Sequence, residues 1–172
     1  MSTGGEFIAR YQGDAPRTYT ISGTVNEAGV PLSGVTINGG TLTNRITDSS
    51  GAYTYTGLEA GVLYLLIPTL HGYSFSPSSY AGTLLSNVTI AFTATKNDSD
   101  QDGLADLEEE VRGTNPYLPD TDADGVKDGI EVTDGTNPLV GDTDGDGLSD
   151  GLEKSLTTNP KVKDTDSDGL TD

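Results

Sequence analysis

The pattern of apolar and polar positions changes character part-way along this chain. Between residues 18 and 95 it follows a period of two. Ile21, Gly23 and Val25 alternate with Thr20, Ser22 and Thr24, and Val88, Ile90 and Phe92 alternate with Thr89, Ala91 and Thr93. Alternation of this kind predicts strands with one face in a core. Leu63 to Ile67 is instead a continuous apolar run, which predicts a strand buried on both sides. Asn26-Glu27-Ala28-Gly29 and Thr47-Asp48-Ser49-Ser50-Gly51 read as turns, the second leading into Tyr53-Thr54-Tyr55. No helical period interrupts them. About six or seven short strands over such a length predict a small β-sandwich with a modest core.

From residue 97 onward apolar residues become sparse and recur every 22 positions. Each unit offers roughly two side chains for packing: Leu107 and Val111, Ile130 and Val132, Leu152 and Leu156. A repeat so poor in apolar surface cannot bury a face alone, so it is expected to stack on its neighbours through these positions. Thr114-Asn115-Pro116, Thr136-Asn137-Pro138 and Thr158-Asn159-Pro160 close the units. Proline cannot continue a helix and pushes its predecessor to extended geometry, which limits any helix to about two turns. The predicted fold is therefore mainly β: an Ig-like or prealbumin-like sandwich over 18–96, then loop repeats with little regular structure over 97–172. Residues 1–17 read as an extended leading segment.

Charge divides the chain in the same place. Residues 1–96 carry five acidic and four basic side chains, whereas residues 97–172 carry 22 acidic and five basic, most of the net −18. A segment this acidic repels itself and stays unfolded without counter-ions. The acids are not scattered. Asp-x-Asp-x-Asp-Gly begins at Asp98, Asp120, Asp142 and Asp164. Numbered from each first Asp, oxygen ligands fall at positions 1, 3, 5, 9 and 12, with glycine at 6. The first loop offers Asp98, Asp100, Asp102, Asp106 and Glu109; the second offers Asp120, Asp122, Asp124, Asp128 and Glu131. The third offers Asp142, Asp144, Asp146, Asp150 and Glu153. A fourth has Asp164, Asp166, Asp168 and Asp172, and the sequence stops before its position 12. At position 7, Leu104, Val126, Leu148 and Leu170 would lend a backbone carbonyl while their side chains pack inward.

Alternate carboxylates turned by a glycine suit calcium, which takes six to eight oxygens at about 2.3–2.6 Å. Magnesium wants a tighter octahedron. Zinc and copper want nitrogen or sulfur, and the chain has no Cys and a single His. At least three calcium ions are expected. Pro116-Tyr117-Leu118-Pro119 rules out the helix that an EF-hand places before its loop, so the loops share ligands with EF-hands but not their fold.

The run Asp-x-Asp-x-Asp-Gly-Leu-x-Asp-x-x-Glu followed by Gly-Thr-Asn-Pro resembles the bacterial thrombospondin type 3 repeat. That resemblance implies calcium-filled, semi-rigid stalks between other domains of secreted and surface proteins, with the loop carboxylates as ligands. It also makes Asn115, Asn137 and Asn159 candidates for extra ligands, with capping of the turn before proline as the alternative. Over 19–95, Ile-Ser-Gly-Thr-Val, Pro-Leu-Ser-Gly-Val-Thr-Ile, Thr-Asp-Ser-Ser-Gly-Ala-Tyr and Gly-Tyr-Ser-Phe-Ser-Pro resemble a carboxypeptidase regulatory-like sandwich, a non-catalytic module. Related adhesin sandwiches carry a Lys–Asn isopeptide bond; Lys96, the one lysine before the repeats, lies beyond the last strand, so none is expected.

Catalytic chemistry finds no footing. A nucleophilic triad needs a base, and the sole histidine, His71, reads as a turn residue. The acids are taken up as ligands rather than as a glycosidase pair, and so negative a field repels nucleic acid. Neither a signal-like stretch nor a membrane span is visible, and the chain reads as a processed piece of something larger. The expected function is a non-catalytic, calcium-stiffened structural or adhesion protein, extracellular or on the cell surface of a prokaryote. Two alternatives are a filament or surface-layer subunit that exchanges strands at a sheet edge, and a dockerin-like partner-binding module. Against the second stand four loops rather than two, Glu at the loop end, and the Thr-Asn-Pro connector.

Overall fold

The computed structural model describes residues 16–172; most of the leading segment lies outside them. The described residues divide into two compact units, one of residues 16–69 with Phe75–Thr93, the other of Leu70–Ser74 with Ala94–Asp172.

The strands are β1 (Thr18–Glu27), β2 (Val30–Pro31), β3 (Thr36–Asn38), β4 (Arg45–Ile46), β5 (Ala52–Glu59), β6 (Leu63–Thr69), β7 (Tyr73–Ser76), β8 (Tyr80–Thr83) and β9 (Val88–Lys96); all belong to the first unit except the first two residues of β7 and the last three of β9, which fall in the second. They form two sheets. One has the order β2-β1-β9-β7 with β5 also on β1; the other has the order β4-β3-β6-β8. The strand count exceeds the expectation because two pieces, β2 and β4, are only two residues long. β1 and β2 meet in a two-residue turn at Ala28 and Gly29, both at positive φ (48° and 84°). Such a turn matches the natural twist of paired strands.

Between the sheets lie Ile21, Val25, Tyr53, Tyr55 and Phe92 from one side and Ile37, Tyr64 and Leu66 from the other, all buried. The buried tyrosines satisfy their hydroxyls on backbone. Tyr55 donates across the core to the Ile37 carbonyl at 2.7 Å, and Tyr53 donates to that of Ile90 at 2.9 Å. Buried polar groups need such partners. Gly23 makes room for the second of these bonds, since a Cβ there would stand 1.7 Å from the Ile90 oxygen.

The β6 expectation is corrected. Tyr64, Leu66 and Pro68 are buried, whereas Leu63, Leu65 and Ile67 are exposed. A five-residue apolar run is compatible with either one or two buried faces, and among the described residues no layer covers the outer face of β6. The Val88–Thr93 alternation appears as expected, with Phe92 and Ala94 buried, but the strand runs on to include Lys96, which was expected to lie beyond it.

The second unit carries three seven-residue helices: α1 (Asp106–Arg112), α2 (Asp128–Asp134) and α3 (Asp150–Leu156). Each starts at loop position 9, so the position-12 Glu sits inside the helix rather than ahead of it. Gly113, Gly135 and Thr157 end them in left-handed conformation. His71 occupies a turn and pairs with Glu110 at 3.0 Å within this unit, both side chains exposed.

The packing expected between repeats is also corrected. Val111 is 88 % exposed, and Ile130, Leu152 and Leu156 are about half exposed, while Leu107 and Val132 are half-buried. Within the repeats the residues with no exposure at all are Glu109, Asp128, Glu131, Asp150 and Glu153; Leu104 and Val126 are the apolar side chains buried beside them. The stack has a core of carboxylates.

Candidate metal centre

A carboxylate core demands a cation or protons, because a buried ionised acid costs far more than it returns unless it is paired. The loops are folded to provide the first. Position 6 holds Gly103, Gly125, Gly147 and Gly169 at φ between 93° and 111°, a region closed to most residues. The turn brings positions 1, 3 and 5 together. Asp98, Asp100 and Asp102 can each offer an oxygen within 4.8 Å of the others, and so can Asp120, Asp122 and Asp124. The same holds for Asp142, Asp144 and Asp146, and for Asp164, Asp166 and Asp168. Position 7 locks the turn: the amides of Leu104, Val126, Leu148 and Leu170 donate to Oδ1 of the position-5 Asp at 2.7–2.9 Å. Side chains of Leu104 and Val126 point inward as expected; Leu170 is exposed.

The position-12 glutamates complete the cluster. Thr114, Thr136 and Thr158 of the connectors reach back to Oε1 of Glu109, Glu131 and Glu153 at 3.5, 3.3 and 3.5 Å. The second oxygen of each glutamate, Oε2, is buried with no hydrogen-bond partner. Partnerless too are Asp100 Oδ2, Asp120 Oδ1, Asp122 Oδ2, Asp144 Oδ2 and Asp146 Oδ2. An unsatisfied buried acceptor costs about 1–3 kcal/mol and more if charged. These orphaned oxygens stand at positions 1, 3, 5 and 12, the places a bound cation would serve. The donor set is all oxygen, as a hard ion requires, so the residues fit calcium.

Position 9 has a different place. Asp106 accepts the Ser99 amide at 2.7 Å and the Ser99 hydroxyl at 2.8 Å, one on each carboxylate oxygen. Asp128, Asp150 and Asp172 accept in the same way from Thr121, Thr143 and Thr165. Sequence reasoning placed these four among the ligands; the structure turns both their oxygens toward the start of the loop. The hydroxyl residue at position 2, Ser or Thr in every copy, was the overlooked signal. Asn115, Asn137 and Asn159 accept the amides of Tyr117, Leu139 and Lys161 across the intervening proline, which is the turn-capping alternative.

Crowded carboxylates hold protons. Burial first, and the neighbouring Asp100 and Asp102 second, push Glu109 up to about 7. Burial together with Asp122 and Asp124 pushes Glu131 up to about 8, and Glu153 rises to about 7 for the same reasons. Burial also raises Asp100, Asp122 and Asp144. A carboxyl raised in the folded form binds its proton more tightly there than when unfolded. The ion-free fold is therefore best supported below the ordinary glutamate range and loses that support as pH rises through about 7–8. Calcium takes the proton's place, so its affinity runs the other way. Between pH 8 and pH 6 calcium affinity is expected to fall about tenfold in the first and third loops, and more in the second. Competition titrations against a fluorescent chelator at the two pH values measure this. A pH-independent affinity would refute it.

The loops and their buried glutamates define an acidic, metal-binding repeat array. Residues 98–163 match the family described as the bacterial TSP3 repeat in three consecutive copies, at 98–119, 120–141 and 142–163. Those residues are bacterial thrombospondin type 3 repeats, a calcium-binding class. Residues 164–172 fall outside the match, yet they repeat the loop geometry through Thr165 and Asp172. A curated relative, the chitinase ChiA of Flavobacterium johnsoniae, is 38 % identical over 80 residues, which is 44 % of this chain and 5 % of the relative. The chain thus spans about one-twentieth of that protein. Among solved structures, a type II cohesin–X–dockerin complex from Acetivibrio cellulolyticus aligns over 51 % of this chain and 64 % of its own, at 18 % identity and TM-score 0.36. The major pilin SpaD of Corynebacterium diphtheriae aligns over 46 % and 30 %, at 17 % identity and TM-score 0.36.

Proposed function

We propose that this chain is a non-catalytic, extracellular or cell-surface segment in which calcium turns the acidic repeats of residues 97–172 into a stiff spacer attached to the sandwich of residues 18–96. The observation that carries this reading is the set of buried carboxylate oxygens without partners at loop positions 1, 3, 5 and 12. Positions 1, 3, 5 and 12 supply side-chain ligands, position 7 its carbonyl, and position 9 braces the loop through its hydrogen bonds. At least three ions are held, one for each loop that contains its glutamate. Calcium outside cells supports even weak loops of this kind, whose dissociation constants reach about 10⁻³ M. The 80-residue likeness to a much longer chitinase fits an accessory segment that recurs beside other domains. Strand exchange between copies at a sheet edge remains the second use to which the sandwich lends itself, since β4 and β8 end their sheet.

Stiffness is directly measurable because the chain has no cysteine of its own. Spin labels at Val111→Cys and Val162→Cys, both exposed positions, are expected to give a narrow distance distribution in calcium and a broad one in chelator. Equal widths in the two conditions would end the spacer reading.

A further inference from the structure

Neighbouring repeats meet at one recurring contact. Asp102, at position 5 of the first loop, has both oxygens engaged: Oδ1 accepts the Leu104 amide at 2.7 Å and Oδ2 accepts the Gly129 amide at 2.8 Å. Gly129 belongs to the next repeat, at position 10 of its loop. Asp124 repeats this, with Val126 on Oδ1 at 2.8 Å and Gly151 of the third repeat on Oδ2 at 3.0 Å. In the third loop Asp146 Oδ1 accepts from Leu148, while Oδ2 is buried without a partner.

Glycine is required at both contacts, although neither Gly129 nor Gly151 has positive φ. A Cβ on Gly129 would stand 2.7 Å from the Asp102 carbonyl oxygen and 3.1 Å from Gly103 C. On Gly151 it would stand 2.3 Å from the Asp124 oxygen. Those neighbours are backbone, which cannot swing aside as the tip of a side chain can. The first repeat, with no loop before it, has Leu107 at position 10; that side chain covers Gly72 instead.

The same seam carries like charges. Asp128 and Asp150, which open the helices of the later repeats, are fully buried acids, as are the glutamates Glu109 and Glu131 of the repeats before them. An ion in the earlier loop neutralises what opposes docking of the later repeat. The docked repeat in turn fixes the aspartate that faces the ion.

We propose that Gly129 and Gly151 are coupling residues, each tying the calcium loop before it to the repeat after it, so that adjacent loops fill together rather than independently. This rests on the calcium reading above. Coupling between nearest neighbours is what a stacked array carries, and by reciprocity each loop strengthens the other equally.

The test is a calcium titration of the whole chain, followed by nuclear magnetic resonance at the amides of Leu104, Val126 and Leu148 as separate reporters of the three loops. In the unaltered chain the three reporters are expected to share one steep transition. Gly129→Ala is expected to move the Leu104 transition to about five- to tenfold more calcium and flatten it, with Val126 and Leu148 still rising together. Gly151→Ala should shift the break to the next seam, separating Leu148 from the other two. Ile130→Ala, on the exposed face one residue along, should leave all three curves in place. If both glycine variants merely weaken all loops alike, as general loss of stability would, the coupling role is overturned. It is overturned too if the loops of the unaltered chain titrate independently, a result that leaves calcium binding intact. No calcium-dependent shift at any reporter would remove the calcium reading along with it.

Discussion

Chelating calcium is expected to strip the amides of Leu104, Val126 and Leu148 of their protection against hydrogen exchange while those of Tyr53, Tyr55 and Leu66 keep theirs. The two units hold themselves together by different means. The sandwich encloses Ile21, Val25, Ile37, Leu66 and Phe92, a set of fully buried apolar side chains, and burial of each contributes about 1.5–3 kcal/mol. In the repeats the largest fully buried side chains are Glu109, Glu131 and Glu153. Removing the ions leaves those acids to repel one another in a segment whose acidic residues outnumber its basic ones by 22 to five. With calcium a hundredfold above its dissociation constant, each loop gains about 2.7 kcal/mol. Three loops together gain about 8 kcal/mol, comparable with the whole stability of an ordinary domain. The loss of protection should exceed a hundredfold in the repeats. Exchange followed by mass spectrometry with and without chelator reads both units in one experiment. Repeats that stay protected in chelator would show that the fold stands without metal.

How much of this could be read from the chain alone follows from where the information lies. The acid clusters at positions 1, 3 and 5 and the buried glutamate at position 12 were legible because the side-chain type itself is the chemistry, and a 22-residue period repeats it in register. Sandwich strands were legible wherever alternation was clean, as in β9. The Leu63–Ile67 run misled because a string of apolar residues is equally compatible with one buried face or two; what decides is whether a layer lies over it. The apolar pairs of the repeats misled for a related reason. Val111, Ile130 and Leu156 look like core only if the core is assumed to be apolar, and here the interior is filled by acid groups that anticipate an ion. Position 9 was assigned as a ligand by its residue type alone, which does not reveal that both its oxygens accept from the residue at position 2, seven residues earlier. The seam glycines were hidden by their one exception: Leu107 breaks the period at position 10, and only the stacking explains why the first repeat is free to differ.

Replacing Glu131 by glutamine is expected to stabilise the ion-free protein and abolish much of its response to calcium. Glu131 is fully buried, one of its oxygens is without a partner, and its carboxyl is pushed up to about 8. At neutral pH without metal, folding must draw a proton from solution onto a glutamate that is ionised in the unfolded chain. Glutamine is neutral at every pH, keeps the acceptor that Thr136 meets at 3.3 Å, and needs no proton, so near pH 8 it also spares the cluster of Asp122 and Asp124 a further charge. The ion-free repeats should therefore melt higher than the unaltered ones, and more so at pH 8 than at pH 6, where Glu131 is already protonated. In calcium the order reverses. An amide offers one neutral oxygen where the carboxylate can grip the ion with two, so the second loop should lose on the order of a hundredfold in affinity, about 2.7 kcal/mol of its calcium-linked stability. Melting curves of both proteins, in chelator and in calcium at the two pH values, give four comparisons whose signs are fixed in advance. A glutamine variant that melts lower than the unaltered chain in chelator would mean that the buried carboxylate supports the ion-free fold. The repeats would then owe their structure to something other than the metal their acids surround.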